Sequence, residues 1–355
     1  MPSTIADVAA RAGVSTATVS RVLRGVSRGR PATRARIQAA ARELDYRPSG
    51  VARSLKLRTT DTLGLLITDI QNPFYAQLVR SIDDVAREHD YALLLGNGAE
   101  DAEREAAYLE LLASRRVDGL IIAATSLTAR HRRWLRHSPV PLVLVNCALA
   151  DVAVPAFLSD NRAGGALAAR HLLEQGHRAL AHVAGDPANP AAAERLAGVR
   201  EALDAAGLDG ARLPCAQSDG HVAGGEAAMR ELLARAPRTT GVVCFNDLTA
   251  VGALRALRTA GRQVPGEVSV VGFDDIDLAA YVEPPLTTIR QPFGELGRRA
   301  VEALVGRLRD GSQPSRPAAR GGAPAAVVRL PVELVVRGSS GPAPHRPAGR
   351  RQSPA

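Results

Sequence analysis

The chain has 355 residues, 46% of them hydrophobic and 23% charged, which is enough apolar material for two or more buried cores. It contains no apolar run near 18 residues and no basic-then-apolar leader, so it reads as soluble, unexported and cytoplasmic, with no membrane partner. The formal net charge of +9 is concentrated at the front, because residues 1–60 hold twelve Arg and Lys against three acids. A basic module on a body without net charge fits a phosphate-binding head attached to a part that handles something else. Cys147, Cys215 and Cys244 lie far apart with no C-x-x-C spacing, which suggests reduced thiols and no zinc site.

Residues 4–23 read as two short helices and a tight turn. Thr4 and Asp7 have capping-box spacing, and Ile5, Val8, Ala9 and Ala12 follow one apolar helix face. Gly13 stands where the chain must turn with a left-handed backbone, and Ser15 can cap the second helix. Val19, Val22 and Leu23 then pack inward, leaving Thr16, Ala17, Ser20, Arg21 and Arg24 outside. A short helix with small polar residues at its start and Arg further along can enter the major groove of DNA. There Arg pairs bidentately with guanine, and Ala or Thr methyls touch thymine. The plainer reading is a two-helix cap of a larger α domain, and the charge at the front weighs against it.

A third helix is expected over 31–46, with Ile37, Ala40, Ala41 and Leu44 closing a three-helix core and Arg30 a poor cap ahead of Pro31. The stretch 47–56 is helix-like but too short to be stable alone, and by itself reads as a linker. From residue 63 the pattern changes to strand–helix alternation, the mark of parallel sheets covered by helices. Strands are expected at 63–68, 91–95, 119–122 and 141–145. The alternation restarts after Ser159-Asp160-Asn161, with helices at 162–174, 191–206, 222–234 and 247–260 and strands at 179–184, 212–216, 241–245 and 268–273. A strand at 286–289, a helix at 293–309 and a strand at 327–336 complete two tandem α/β halves. Residues 311–326 and everything from 338 read as disordered.

Motifs in this order resemble the lactose-repressor (LacI/GalR) family of bacterial transcription regulators over residues 4 to about 337. They are Thr4-Ile5-Ala6-Asp7-Val8-Ala9 through Ala17-Thr18-Val19-Ser20-Arg21-Val22-Leu23, Tyr46-x-Pro48 with Ala52-Arg53-Ser54-Leu55, and Asn72-Pro73-Phe74-Tyr75. Val117-Asp118-Gly119-Leu120-Ile121, Ser159-Asp160-Asn161, Gly176-His177-Arg178, Arg195-Leu196-Ala197-Gly198, Phe245-Asn246-Asp247 and Val270-Val271-Gly272-Phe273-Asp274-Asp275 follow. A helix-turn-helix alone is weak evidence; the ordered set is specific.

The resemblance implies a small all-α helix-turn-helix head plus an α/β body of two tandem Rossmann-like halves, of periplasmic-binding-protein type I, with a ligand held between them. On this reading the DNA-binding domain is 1–47, a hinge helix and linker 48–60, the effector-binding and dimerisation domain 61–337, and a disordered tail 338–355. The halves fall roughly at 61–160 plus 291–326 and 161–290 plus 327–337. DNA contacts are expected from Thr4, Ser15, Thr16, Ala17, Thr18, Ser20, Arg21 and Arg24, and from Ala52 and Leu55 of a hinge helix that forms only on operator DNA. Leu55 would wedge the minor groove there. Effector contacts are expected from Phe74 and Tyr75 as a stacking face, and from Arg195, Asn246 and Asp274 as polar partners of a sugar or nucleoside. A wall that an aromatic often fills falls near Gly220-His221, leaving it open or polar.

The expected molecule is therefore a homodimeric repressor that binds double-stranded operator DNA and a small sugar-like effector, with no catalytic residue, cofactor or metal. An enzyme on this fold would need a nucleophile, metal cluster or phosphate loop, and G-x-S-x-G and H-E-x-x-H are both absent. A periplasmic-type sugar-binding protein shares the body but has no use for the basic head. The tail lacks apolar heptads, which argues against tetramers.

Overall fold

The computed structural model describes residues 3–23, 30–46, 59–124, 127–149, 152–310 and 326–344. The chain forms two compact units, Met1–Thr60 and Asp61–Ala355.

In the first unit, α1 (Ile5–Ala12) begins with the expected capping box: Thr4 Oγ1 accepts from the Asp7 amide, and Asp7 accepts from the Thr4 amide. The Thr4 amide and hydroxyl both donate to the Asp7 carboxylate, which lowers the Asp7 pKa. α1 ends at Gly13, whose φ of 61° and ψ of 43° require a left-handed backbone. Ser15 Oγ accepts from the Thr18 amide at 3.2 Å and starts α2 (Thr16–Leu23). α3 (Pro31–Glu43) has no side-chain cap at Arg30. Val8, Ala9, Ala12, Val19, Val22 and Ile37 make one core, with Leu23 and Leu44 packed at its edge. The hinge stretch with Ala52 and Leu55, and Arg24, lie outside the described residues.

The second unit contains two six-stranded sheets. The first has the order β11-β5-β4-β3-β1-β2, all parallel, from β1 (Thr62–Ile67), β2 (Ala92–Asn97), β3 (Gly119–Ala123), β4 (Leu142–Val145), β5 (Ala156–Ser159) and β11 (Val327–Leu330). The second has the order β12-β10-β9-β8-β6-β7, from β6 (Leu180–Ala184), β7 (Cys215–Gln217), β8 (Gly241–Cys244), β9 (Ser269–Asp274), β10 (Thr287–Arg290) and β12 (Glu333–Val335). Only β12 runs antiparallel there.

Strands buried on both faces explain the near-continuous apolar runs of the sequence. In β1, Leu63, Leu65 and Ile67 face α4 (Pro73–Glu88) and α11 (Phe293–Arg309), while Leu66 joins the opposite core with α5 (Ala102–Ser114) and α6 (Ala129–Arg136). The second sheet is covered by α7 (Asn161–Glu174) and α8 (Pro190–Ala205) on one face and α9 (Val222–Arg235) and α10 (Asp247–Thr259) on the other.

The chain passes between the sheets three times: from β5 to α7, from β10 to α11 and from β11 to β12. The last passage corrects one expectation, because 327–336 is two strands in different sheets. Val332 lies between them, buried in the second half's core. β11 therefore belongs with the first half. β5 was not anticipated: it is four residues long, buried throughout and directly after Pro155. The strand expected at 212–216 starts at Cys215, since Gly210–Arg212 is a 3-10 turn.

The tail also departs from the expectation, because residues 339–343 pack on the second half. Ser339 is fully buried, its carbonyl accepts from the Val270 amide at 2.8 Å, and its hydroxyl donates to the Val270 carbonyl at 2.7 Å. Gly341 accepts from buried His177, which accounts for that histidine as a structural residue. Residues 311–325 lie outside the described residues. Among those described, no helix is long and apolar enough to cross a membrane.

Candidate DNA-reading face and effector cleft

In the first unit, the surface of α2 presents Thr16, Ala17 and Arg21, with Ser15 just ahead, all exposed. Thr18 and Ser20 are half-buried. The Thr18 hydroxyl is within 2.9 Å of the Ser15 hydroxyl, and Arg21 Nε donates to the Ala17 carbonyl. Exposed Thr4 and Ser15, both expected to contact DNA, use their side-chain oxygens to cap helices. Basic Arg30, Arg34 and Arg36 are exposed around α3.

In the second unit, a cavity of about 350 Å³ lies between the two α/β halves, lined by Phe74, Tyr75, Arg195, Asn246 and Asp274 together. This volume is at the lower end of the range for small-molecule sites, about 300–1,000 Å³.

Arg195 owes its place to close helix packing. A Cβ at Gly165 of α7 would overlap the Arg195 carbonyl, and one at Gly198 of α8 would overlap the Arg162 carbonyl. The two helices therefore meet backbone to backbone, and Arg195 is held 94% buried at their junction. Its Nε donates to Asn161 Oδ1 at 2.9 Å and its Nη1 to the Phe245 carbonyl at 2.7 Å. The guanidinium carbon sits 3.6 Å from the Phe273 ring centre, and Nη2 lies 3.6 Å from Asp274 Oδ1. Burial lowers the Arg195 pKa, opposed by the charge of Asp274.

Asp274 ends β9 with φ 119°, followed by Asp275 with φ 59°, both unusual for non-glycine residues. Three groups hold this bend. Asp247 accepts from the Ile276 amide at 2.9 Å and from Thr288 at 2.5 Å; Arg290 and Arg337 clamp Asp275 at 2.7 and 2.6 Å. Burial pushes the Asp274 pKa up to about 6, against the pull of Arg195 and of Gln291 Nε2, which donates at 2.7 Å. Burial, and then the charge of Asp274, also raises the pKa of Asp247 well above its ordinary value.

The other three residues contribute differently. Asn246 caps α10: its Oδ1 accepts from the Thr249 amide at 2.8 Å and its Nδ2 donates to the Gly220 carbonyl at 2.9 Å. Its amide is committed to shaping the wall, with only spare hydrogen-bonding capacity left for a ligand. Phe74 and Tyr75 open α4 behind the Asn72 cap and meet edge to face at 4.9 Å. Tyr75 is buried, which raises its phenol pKa against the opposing effect of its hydrogen bond with Thr68.

Sequence reasoning missed Gln291, which donates to Asp274 in the second half while its Oε1 accepts from Ser159 at 2.6 Å and Asn146 at 3.3 Å in the first. Neither Gln291 nor Asn146 carries a local signal, because the sheets bring them together. Asn161 lies in one of the motifs quoted above and could have been found there. The wall near Gly220-His221 is polar: His221 Nε2 lies 3.4 Å from Glu100 of the opposite half. Donor atoms of Asp69, Glu100 and His221 fall within 4.8 Å of one another, a grouping compatible with a cation, although acidic clusters occur without one.

A basic helix-turn-helix unit and a two-lobed α/β unit with a polar cleft define a class, that of ligand-responsive DNA-binding regulators. Residues 4–49 match the model for bacterial regulatory proteins of the lacI family, and residues 169–340 the periplasmic binding protein-like domain. The chain is 41% identical to the ribose operon repressor of Escherichia coli (strain K12) over 310 residues, covering 86% of this chain and 93% of that protein. Its structure is similar to that of the lac repressor dimer bound to operator and the anti-inducer ONPF, with TM-score 0.83, 28% identity, and 96% and 100% of the two chains covered. It is also similar to a LacI family regulator from Enterococcus faecium with bound ribose, with TM-score 0.69, 32% identity, and 79% and 99% covered. The chain belongs to the lacI family of bacterial regulatory proteins.

Proposed function

We propose that this chain is an operator-binding transcriptional repressor, homodimeric on DNA, whose affinity for the operator is set by a small polar effector held between the two halves of the body. The observation that carries this is the buried Arg195–Asp274 pair in a cleft lined from both halves. A cation and a carboxylate side by side can fork onto neighbouring hydroxyls, while Phe74 offers a ring face.

Thr4, Ser15, Thr16, Ala17, Thr18, Ser20, Arg21 and Arg24 form the DNA face in this reading, and Ala52 and Leu55 the hinge contact. The named relatives, the ribose operon repressor and the lac repressor, are repressors. Ribose is the first effector to test, because one relative is named for the ribose operon and another holds ribose. The body's folding does not depend on the effector in this reading; only its differential affinity for two states shifts DNA binding.

Selection of random duplexes by the full-length protein should enrich a near-palindromic site, since two-fold proteins match two-fold sites. Anisotropy titration on that site should then change on adding D-ribose or another sugar. Enrichment of a lone half-site bound by a monomer at full affinity would contradict the dimer. A titration indifferent to every small polar molecule tried would contradict effector control.

A further inference from the structure

The cleft contains a charged group that none of the motifs above identified. Glu105, in the first turn of α5, is 4% exposed and lines the cavity from the first half. It is admitted there by Gly98, because a Cβ at that position would overlap its side chain.

Behind Glu105 lies His131 of α6, fully buried, with Nε2 3.2 Å from Glu105 Oε2. The Thr128 amide donates to His131 Nδ1 at 3.1 Å, so a neutral imidazole must carry its proton on Nε2, the ring nitrogen nearer Glu105. That contact is close without hydrogen-bond alignment, and Nε2 has no hydrogen-bond partner among the described residues. Glu105 therefore faces a donor on its protein side and the cavity on the other.

Among the residues lining the same cavity are five acids, Glu100, Glu105, Asp186, Asp219 and Asp274, against one arginine, Arg195, and one histidine, His221. Arg195 is already engaged by Asn161, the Phe245 carbonyl and Asp274. Like charges brought together in a cleft repel, and an anion entering here meets a surplus of carboxylates against a single guanidinium whose charge is already offset by Asp274 beside it.

We infer that Glu105, backed by His131, is the first-half acceptor for the effector, and that the cleft selects a donor-rich ligand without phosphate or carboxylate: a neutral polyol, or one bearing an amine at the Glu105 end. This rests on the reading of the cleft as the effector site, and it narrows the substrate class within that reading.

The test uses the full-length protein and a thermal-shift panel of matched pairs: D-ribose with D-ribose 5-phosphate, D-glucose with D-glucose 6-phosphate and D-gluconate, and D-glucosamine with D-glucosamine 6-phosphate. At least one neutral or amino sugar should raise the melting temperature, and its anionic partner should bind at least tenfold more weakly by calorimetry. For the ligand found, Glu105→Gln should weaken binding at least tenfold and narrow the gap between the ligand and its phosphate ester. A role in packing alone would not move that ratio.

An anionic member binding more tightly than its parent overturns the inference, as does a panel in which nothing binds. An E105Q protein with unchanged affinity and selectivity overturns the role of Glu105. The matched pairs need no variant, so charge selection is tested even if E105Q fails to fold. Operator binding, measured separately on the same preparation, shows whether the regulator reading stands when the ligand class does not.

Discussion

Asp274 combines a left-handed backbone, deep burial and a neighbouring carboxylate, Asp247, in one residue. Its raised pKa has a definite consequence for stability. The folded state binds the Asp274 proton more tightly than the unfolded chain, whose carboxyl has a pKa near 3.8. Stability from this group is fully present below about pH 4 and is lost as pH rises through about 6. Asp274→Asn holds the site uncharged at every pH, so melting temperatures of variant and wild type should diverge in the variant's favour between pH 4 and 7. A constant difference across that range would mean that Asp274 ionises in the cleft as it does in water. The substitution should also blunt the response to effector: it removes the carboxylate acceptor facing a ligand hydroxyl, and losing one partner of a buried polar contact costs about 1–3 kcal/mol. Asp274 was readable from the sequence because it ends a strand in a recognised motif. Glu105 and Gln291 were not, because each sits in an unremarkable helical or loop stretch and reaches the cleft only through the sheet order and the passages between halves.

At the scale of single elements, the proposed reading assigns base reading to α2 and phosphate grip to α3. Thr16 and Arg21 project from the exposed face of α2, whereas Arg34 projects from α3. Replacing Thr16 or Arg21 with Ala should change which bases a selection experiment returns, by about 1–3 kcal/mol at the affected position. Arg34→Ala should weaken all sequences alike and reduce the salt dependence of binding. Uniform loss for both sets would show that α2 is not the reading helix.

The turn that holds α2 depends on one backbone conformation. A Cβ at Gly13 meets nothing nearby, so Gly13→Ala should destabilise the head through the left-handed φ alone, by about 1–2 kcal/mol in chemical denaturation. Gly198→Ala differs in kind. Its Cβ would strike the Arg162 backbone, and the helix pair that seats Arg195 would have to separate, which should cost about 1–3 kcal/mol or more together with effector affinity. The helices and most strands were legible because apolar periodicity, caps and Gly or Pro punctuation agree locally. β5, the split of β11 from β12 and the ordered Ser339 were not. Four buried residues carry no period, and a strand's choice of sheet, like a buried tail serine, is decided by partners far away in sequence.

For the whole molecule, the proposed function requires two activities that can be lost separately and a coupling between them. In the resemblance-based reading, Leu55 wedges the minor groove, so Leu55→Ala should lose the DNA kink and most specific affinity while calorimetry still finds the effector bound. Asp274→Ala should do the reverse, holding operator and responding weakly to ligand. Ile276, which follows β9 of the second half, packs in the first half's core, and Arg329 of β11 makes a two-pronged contact with Glu194 of α8. A ligand touching both halves therefore acts on a body whose halves already share contacts, and its effect on DNA must come from differential affinity for two arrangements of that body. Thermodynamic linkage then fixes the sign and size of the reverse effect. Whatever factor the effector imposes on operator affinity, the operator imposes on effector affinity, with coupling of about 1–3 kcal/mol, or roughly 5–150-fold. Calorimetric titration of the effector with and without saturating operator measures that factor directly. Equal affinities in the two titrations, for a ligand that plainly shifts operator binding in anisotropy, would rule out control through the cleft and place the ligand's action on the DNA-binding unit itself.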